Sequence, residues 1–136
     1  YFSPFEAWRP VLNTAGVTFV NLQYGDRETD LAYAKEQFGV EIVTLPGIDL
    51  KDDLEEVAAL SCALDLVLGV SNATFNIAAA CGAQAWLVAP AGLWTQFGTS
   101  RHPWYSQVRV FHAPASNAWE PLMKDVAAAL SSFFQT

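Results

Sequence analysis

A chain of 136 residues, 52% hydrophobic and 15% charged, has the length of one domain, and at that size folding buries roughly 68% of the extended chain's surface. That balance excludes intrinsic disorder. A net charge of −7 with seven Lys and Arg excludes a broad nucleic-acid-binding face, which needs a basic stripe. The longest apolar stretch, Val57 to Val70, is interrupted by Asp65 and is shorter than the about 20 residues of a membrane-spanning helix. There is no signal-peptide pattern, and the chain opens on Tyr1 rather than Met, so the expectation is a single domain over 1–136 belonging to something longer. Cys62 and Cys81 lie inside apolar helical patterns and are expected to be buried free thiols, with a disulfide between them as the lesser alternative, and free thiols fit a cytoplasmic location.

In chain order, Ser3-Pro4-Phe5-Glu6 predicts a capping box, with Ser3 as N-cap, Pro4 at the first helical position and Glu6 at the third. Trp8, Val11, Leu12 and Ala15 follow at helical spacing, with Gly16 as the left-handed stop. Val17 to Leu22, β-branched and aromatic, predicts a strand. Gln23-Tyr24-Gly25-Asp26 is a strand-to-helix turn. A helix is expected from Arg27 to Phe38, with Leu31, Ala34 and Phe38 inward and Gly39 ending it, followed by a short strand at Val40 to Val43.

Leu45 to Asp49 forms a loop whose last residue is expected to cap the next helix. Asp52 and Asp53 then fall in the first turn, where negative charge is favoured. Leu54, Val57, Ala58 and Leu64 carry the inward stripe. Asp65 to Val70 and Ala83 to Pro90 read as buried strands on either side of a helix, FNIAAACG, too apolar to face water on any side. Ala89 to Ser106 is a long connection rich in Gly, Pro and aromatics, a type more often functional than incidental. Gln107 to Phe111 predicts a strand. Trp119, Leu122, Met123, Val126, Ala127, Leu130, Phe133 and Phe134 define an amphipathic last helix that should close one face of the sheet. The expected class is therefore α/β: a Rossmann-like parallel sheet of about five strands with helices on both faces.

In such folds ligands lie across the carboxyl ends of the strands, so Gln23-Tyr24-Gly25, Leu45 to Asp49, Ser71 to Thr74 and Ala89 to Tyr105 are expected on one rim. Ser71, Asn72 and Thr74 stand where a helix begins, and free backbone N–H groups and the helix dipole favour an anion there. Simple N-capping explains Ser71 equally well. Neither GxGxxG nor GxxxxGK[ST] is present, and two Cys and two His lack zinc-site spacing, so no cofactor or metal is expected. Gly69 to Ala73 is one residue short of a GxSxG nucleophile elbow, which would make Ser71 a hydrolase nucleophile with His102 or His112 as base. Neither His has a convincing acidic partner in order.

The same residues carry a resemblance. Trp8-x-x-Val11-Leu12, FVNLQYGD, PGIDLKDDLEEVAALSCALDLVLGV, SNATFNIAAACG and the late PWY resemble the C-terminal half of bacterial glycosyltransferase-like proteins. These often sit behind tetratricopeptide (TPR) repeats and are similar to lipopolysaccharide heptosyltransferases. The resemblance spans Phe5 to Phe133 and is strongest from Asp49 to Gly82. It implies the C-terminal half of a GT-B architecture, which binds a nucleotide-sugar donor. In heptosyltransferase-like members the turn after the DLV strand reads Asp-Thr-Gly-x-x-His. Here Ser71, Asn72, Ala73 and Asn76 stand at those positions, so hydroxyl and amide groups replace the carboxylate and imidazole.

The family pattern also places a strand before the Trp8 helix, and an acceptor domain usually carrying the catalytic base. Both lie outside these residues, so the isolated chain is expected to be inactive and its catalytic residues are unknown. The partners implied are the donor and the acceptor domain or TPR region of a parent protein. Gln23 and Tyr24 would contact base or sugar, or merely pack on the adjoining loop. Asp49 would accept from ribose or base, or only cap a helix. Trp94, Trp104 and Tyr105 would stack on the ligand or cover a sheet edge, and Arg101 and His102 would meet a diphosphate or simply face solvent. Asp65, at the amino end of its strand, is structural. The alternative is a degenerate, non-catalytic interaction module.

Overall fold

The structure, a computed structural model, describes residues 3–135. The chain forms two compact units, one taking in the described residues up to Gly47 together with those from Asn117 onward, the other spanning Ile48–Ser116. It is an α/β structure with five strands, all pairing in parallel, but they belong to a two-stranded and a three-stranded sheet rather than to one five-stranded sheet. The difference arises in β1 (Phe19–Val20) and β2 (Ile42–Val43), which form only two residues each of ladder. After β1 the Asn21 side chain turns back on Gln23, accepting its N–H and donating to its carbonyl.

In the first unit the chain starts as a 3-10 turn, Phe5–Trp8, and continues as α1, Arg9–Leu12. The expected capping box is absent. The Ser3 hydroxyl instead accepts the Trp8 indole N–H at 2.8 Å, and Pro10 brings no N–H to bond the carbonyl of Glu6, four residues back in the 3-10 turn. The helix stops at Leu12, before Gly16. α2 (Glu28–Tyr33) widens into a π turn at Ala34–Phe38 and ends at Gly39, whose φ of 68° is left-handed. Ala34 and Phe38 are buried as expected, whereas Leu31 is only half-buried. Leu12, Ala34 and Phe38 form a core onto which Phe5, Trp8, Phe19, Tyr33, Val40 and Ile42 pack. Phe5, Tyr33 and Phe38 contact one another ring to ring at 5.4–6.1 Å. α5 (Trp119–Phe134) buries Trp119, Leu122, Met123, Val126 and Leu130. It packs chiefly on α1 and the Phe5–Trp8 turn, rather than on a sheet face.

In the second unit β4 (Ala85–Ala89) is the middle strand, flanked by β3 (Val67–Gly69) and β5 (Arg109–His112). Every residue of β4 is buried, as expected of a continuous apolar run between two parallel neighbours. α3 (Leu54–Ala63) packs on α4 (Ala73–Ala80), and α4 packs on β3 and β4. On α3 the inward positions are Val57 and Ser61, while Leu54 is 56% exposed. On α4 only Phe75, Ala78 and Ala79 are buried, so the helix does meet water along one side. Cys62 and Cys81 are free, as expected, but both are exposed rather than buried. No helix among the described residues is long and apolar enough to cross a membrane.

Candidate functional site

The turn between β3 and α4 is built by Asn72. Its backbone is extended (φ −142°, ψ 178°) and its Oδ1 accepts the Phe75 N–H at 2.9 Å. Its carbonyl accepts both the Asn76 N–H and the Asn76 side-chain amide, at 3.1 and 2.8 Å. Asn72, not Ser71, is therefore the N-cap. Of the first helical amides, those of Ala73 and Thr74 are left without an intrahelical bond. Ser71, Asn72 and Ala73 are exposed, and Thr74 and Asn76 are half-buried. The Asn76 side chain spends one N–H on the Asn72 carbonyl, which leaves its second N–H and its Oδ1 for other partners. Among the described residues no hydrogen bond joins Ser71 to His102 or His112, so nothing in this geometry activates a serine nucleophile.

Asp49 is exposed, and its Oδ1 accepts the N–H groups of Lys51 and Asp52, both at 3.0 Å. These two bonds, that of Asp52 first, hold its carboxyl below the usual carboxylate range. It shapes the turn ahead of α3 but does not cap the helix. That role falls to Asp53, whose carboxylate accepts the Glu56 N–H at 3.0 Å.

The connection from β4 to β5 is an organised loop. A 3-10 turn, Trp94–Gln96, is followed by Phe97 in the left-handed region at φ 50°. The Thr99 hydroxyl lies 2.8 and 2.9 Å from the carbonyls of Gln96 and Arg101. Gln96 is buried, and its Nε2 has no partner. His102 is 9% exposed, contacts the Tyr105 ring at 4.9 Å, and accepts the Trp104 N–H on Nδ1 at 3.4 Å. Burial lowers its pKa below 6.5, so it is a poor cation for a diphosphate. Arg101 is exposed. Trp94 is 79%, Phe97 66% and Trp104 68% exposed, with the last two rings edge-on at 6.0 Å. Trp94 and Trp104 therefore do not cover a sheet edge.

Gln23, Tyr24 and Gly25 belong to the first unit, whereas Asp49, the Ser71–Asn76 turn, Trp94 and Arg101 belong to the second. In the first unit Gly25 lines a cleft of about 360 Å³ with Asn21, Asp26, Arg27, Glu28, Leu31 and Thr44. Asn21 and Thr44 directly follow β1 and β2, so the cleft lies at the carboxyl end of that sheet, where parallel sheets receive ligands. Gln23 and Tyr24 are exposed and do not line it. Arg27 was not anticipated. Its Nε is buried without a partner, and its guanidinium lies 3.8 Å from Asp30. A basic residue two positions past the glycine of a strand-to-helix turn was the signal available. Among the described residues no group of three or more His, Cys, Asp or Glu could hold a metal ion.

A second unanticipated signal is the distribution of charge. The chain has 14 Asp and Glu, yet none lies between Asp65 and Glu120, a stretch that includes Arg101 and Arg109. The carboxyl ends of β3, β4 and β5 all fall within it.

No family model matches the chain, and no solved structure matches it. It is similar to Protein FlbA of Caulobacter vibrioides, with 54% identity over 132 residues, covering 97% of this chain and 22% of that protein. The chain thus spans about a fifth of that relative's length.

Proposed function

We propose that this chain is the donor-binding half of a GT-B-type glycosyltransferase, holding the diphosphate of a nucleotide sugar at the start of α4. The observation that carries the reading is the Asn72-capped turn, with the Ala73 and Thr74 amides outside the intrahelical bonding, inside a stretch free of carboxylates in an otherwise acidic chain. Backbone N–H groups at a helix start bind phosphate without needing Lys, and a turn that carries no carboxylate of its own adds no local repulsion. The parallel strands joined through α2 and α4 suit a Rossmann-like GT-B half. The residues would act by positioning the donor and stabilising the departing diphosphate. The catalytic base would come from an acceptor domain in the same parent protein, as would any TPR region. A cytoplasmic location agrees with two unbridged thiols.

Titration of the chain with UDP, ADP, GDP and CDP, followed by melting temperature, tests this. Saturable stabilisation by one nucleotide is expected. No response to any of them at millimolar concentration would overturn it.

One observation favours a second reading, a non-catalytic interaction module. Trp94, Phe97 and Trp104 are exposed together on a braced loop, as at protein-binding surfaces. Under that reading, alanine at Trp94 and Trp104 would abolish association with the rest of the parent protein and leave nucleotide response unaltered.

A further inference from the structure

The chain has two cysteines, 19 positions apart. Cys62 lies in the last turn of α3, and Cys81 is the C-cap of α4. Because α3 packs on α4, the Cys62 thiol reaches residue 81 and donates to its backbone carbonyl, with Sγ 3.6 Å from the oxygen. Both cysteines are exposed, so a dissolved reagent meets both.

We propose that Cys62 and Cys81 form a paired-thiol modification site that oxidants of the disulfide class close into an intramolecular disulfide. The thiolate of one cysteine attacks a sulfur of oxidised glutathione and expels one glutathione thiolate. The second cysteine thiolate then attacks the mixed disulfide and expels the other. Two protein thiols are oxidised, one glutathione disulfide is reduced to two thiols, and the two protons given up by the cysteines are taken up by the two expelled glutathione thiolates. Both cysteines stand at helix ends: α3 gives way to an extended residue at Leu64, and Gly82, at φ 83°, follows Cys81. The closed ring encloses β3 and the entire Ser71–Asn76 turn, so oxidation would tether the candidate site at both ends.

The test is to incubate the reduced chain with oxidised glutathione and follow intact mass and alkylation. The expected product is about 2 Da lighter, carries no glutathione and has no alkylatable thiol. Cys62→Ser and Cys81→Ser should each retain one glutathione. Ring closure should be roughly tenfold faster in the native chain than in urea, because packing raises the effective concentration of the second thiol. Retention of two glutathiones by the native chain, or closure no faster than in urea, would overturn the proposal.

Discussion

The Oδ1 of Asn72 accepts the N–H of Phe75 at 2.9 Å, and this one bond decides which amides at the start of α4 are spoken for. Asn72→Ala should cost about 1 kcal/mol of stability, the usual value of an N-cap. Asn72→Asp keeps the acceptor, so its melting temperature should stay near that of the parent chain. It also places a carboxylate beside the proposed diphosphate, and nucleotide affinity should fall by about tenfold or more, since each 1.4 kcal/mol of repulsion is a factor of ten. Thermal melting with and without nucleotide separates the two effects.

Two aspartates ahead of α3 have different duties. Asp53→Ala strands the Glu56 N–H and should cost about 1 kcal/mol in denaturant unfolding. Asp49 is held below its ordinary pKa of 3.8 by the Asp52 and Lys51 amides. Its carboxylate therefore favours the folded chain fully above that value, and the contribution is lost as pH falls through the lowered one. Asp49→Asn retains an acceptor for both amides but has no proton to gain. Its unfolding curves should show a weaker loss of stability in acid than the parent's.

His102 gives the fold a second acid sensitivity. Burial lowers its pKa from 6.5, so the unfolded chain takes up the proton first as pH falls. The neutral imidazole's contribution is complete above 6.5 and drains away as pH drops from there toward the lowered value. Protonation also removes the Nδ1 acceptor of the Trp104 N–H. Melting temperatures between about pH 7.5 and pH 5.5 should fall less steeply in His102→Gln than in the parent.

Gly39 and Gly69 should respond oppositely to alanine. Gly39 ends the α2 helix at φ 68°, a region costing an L-residue roughly 1–2 kcal/mol, so Gly39→Ala should destabilise by about that amount. Gly69 has an ordinary φ, and a Cβ there would meet Phe75 Cδ2 at 3.6 Å, an ordinary contact. Gly69→Ala should fold with nearly unchanged stability in the same denaturant assay.

Patterns confined to a few neighbouring residues were legible in the sequence. The apolar run Ala85–Ala89 gave a wholly buried strand. The 3.6-residue spacing from Trp119 gave the long last helix, and Gly39 ended its helix as expected. What failed depended on competition between partners. Ser3 was open to the backbone or to the Trp8 indole, and the indole took it. Asp49 and Asp53 are chemically equal caps, and only the path of the turn assigns the role to Asp53. Cys62 and Cys81 sit among apolar residues in sequence but at the exposed carboxyl ends of their helices. Trp94 and Trp104 read as stacking on a ligand or as covering a sheet edge, and the braced loop leaves both exposed. Of the site, the helix start at Ser71 to Thr74 was readable from β-strand, turn and helix patterns alone, but its cap is Asn72 and not Ser71. Arg27 emerged only once a cleft was seen at the ends of β1 and β2.

The most direct measurement of the donor-site reading is a backbone amide NMR titration with the nucleoside diphosphates, resolved residue by residue. The account predicts saturable shifts for one nucleotide that are largest at the Ala73 and Thr74 amides. It predicts that Asn72→Asp weakens them without altering the free spectrum elsewhere. A nucleotide that saturates while those two amides stay still, or the absence of any saturable shift at millimolar concentration, would contradict it.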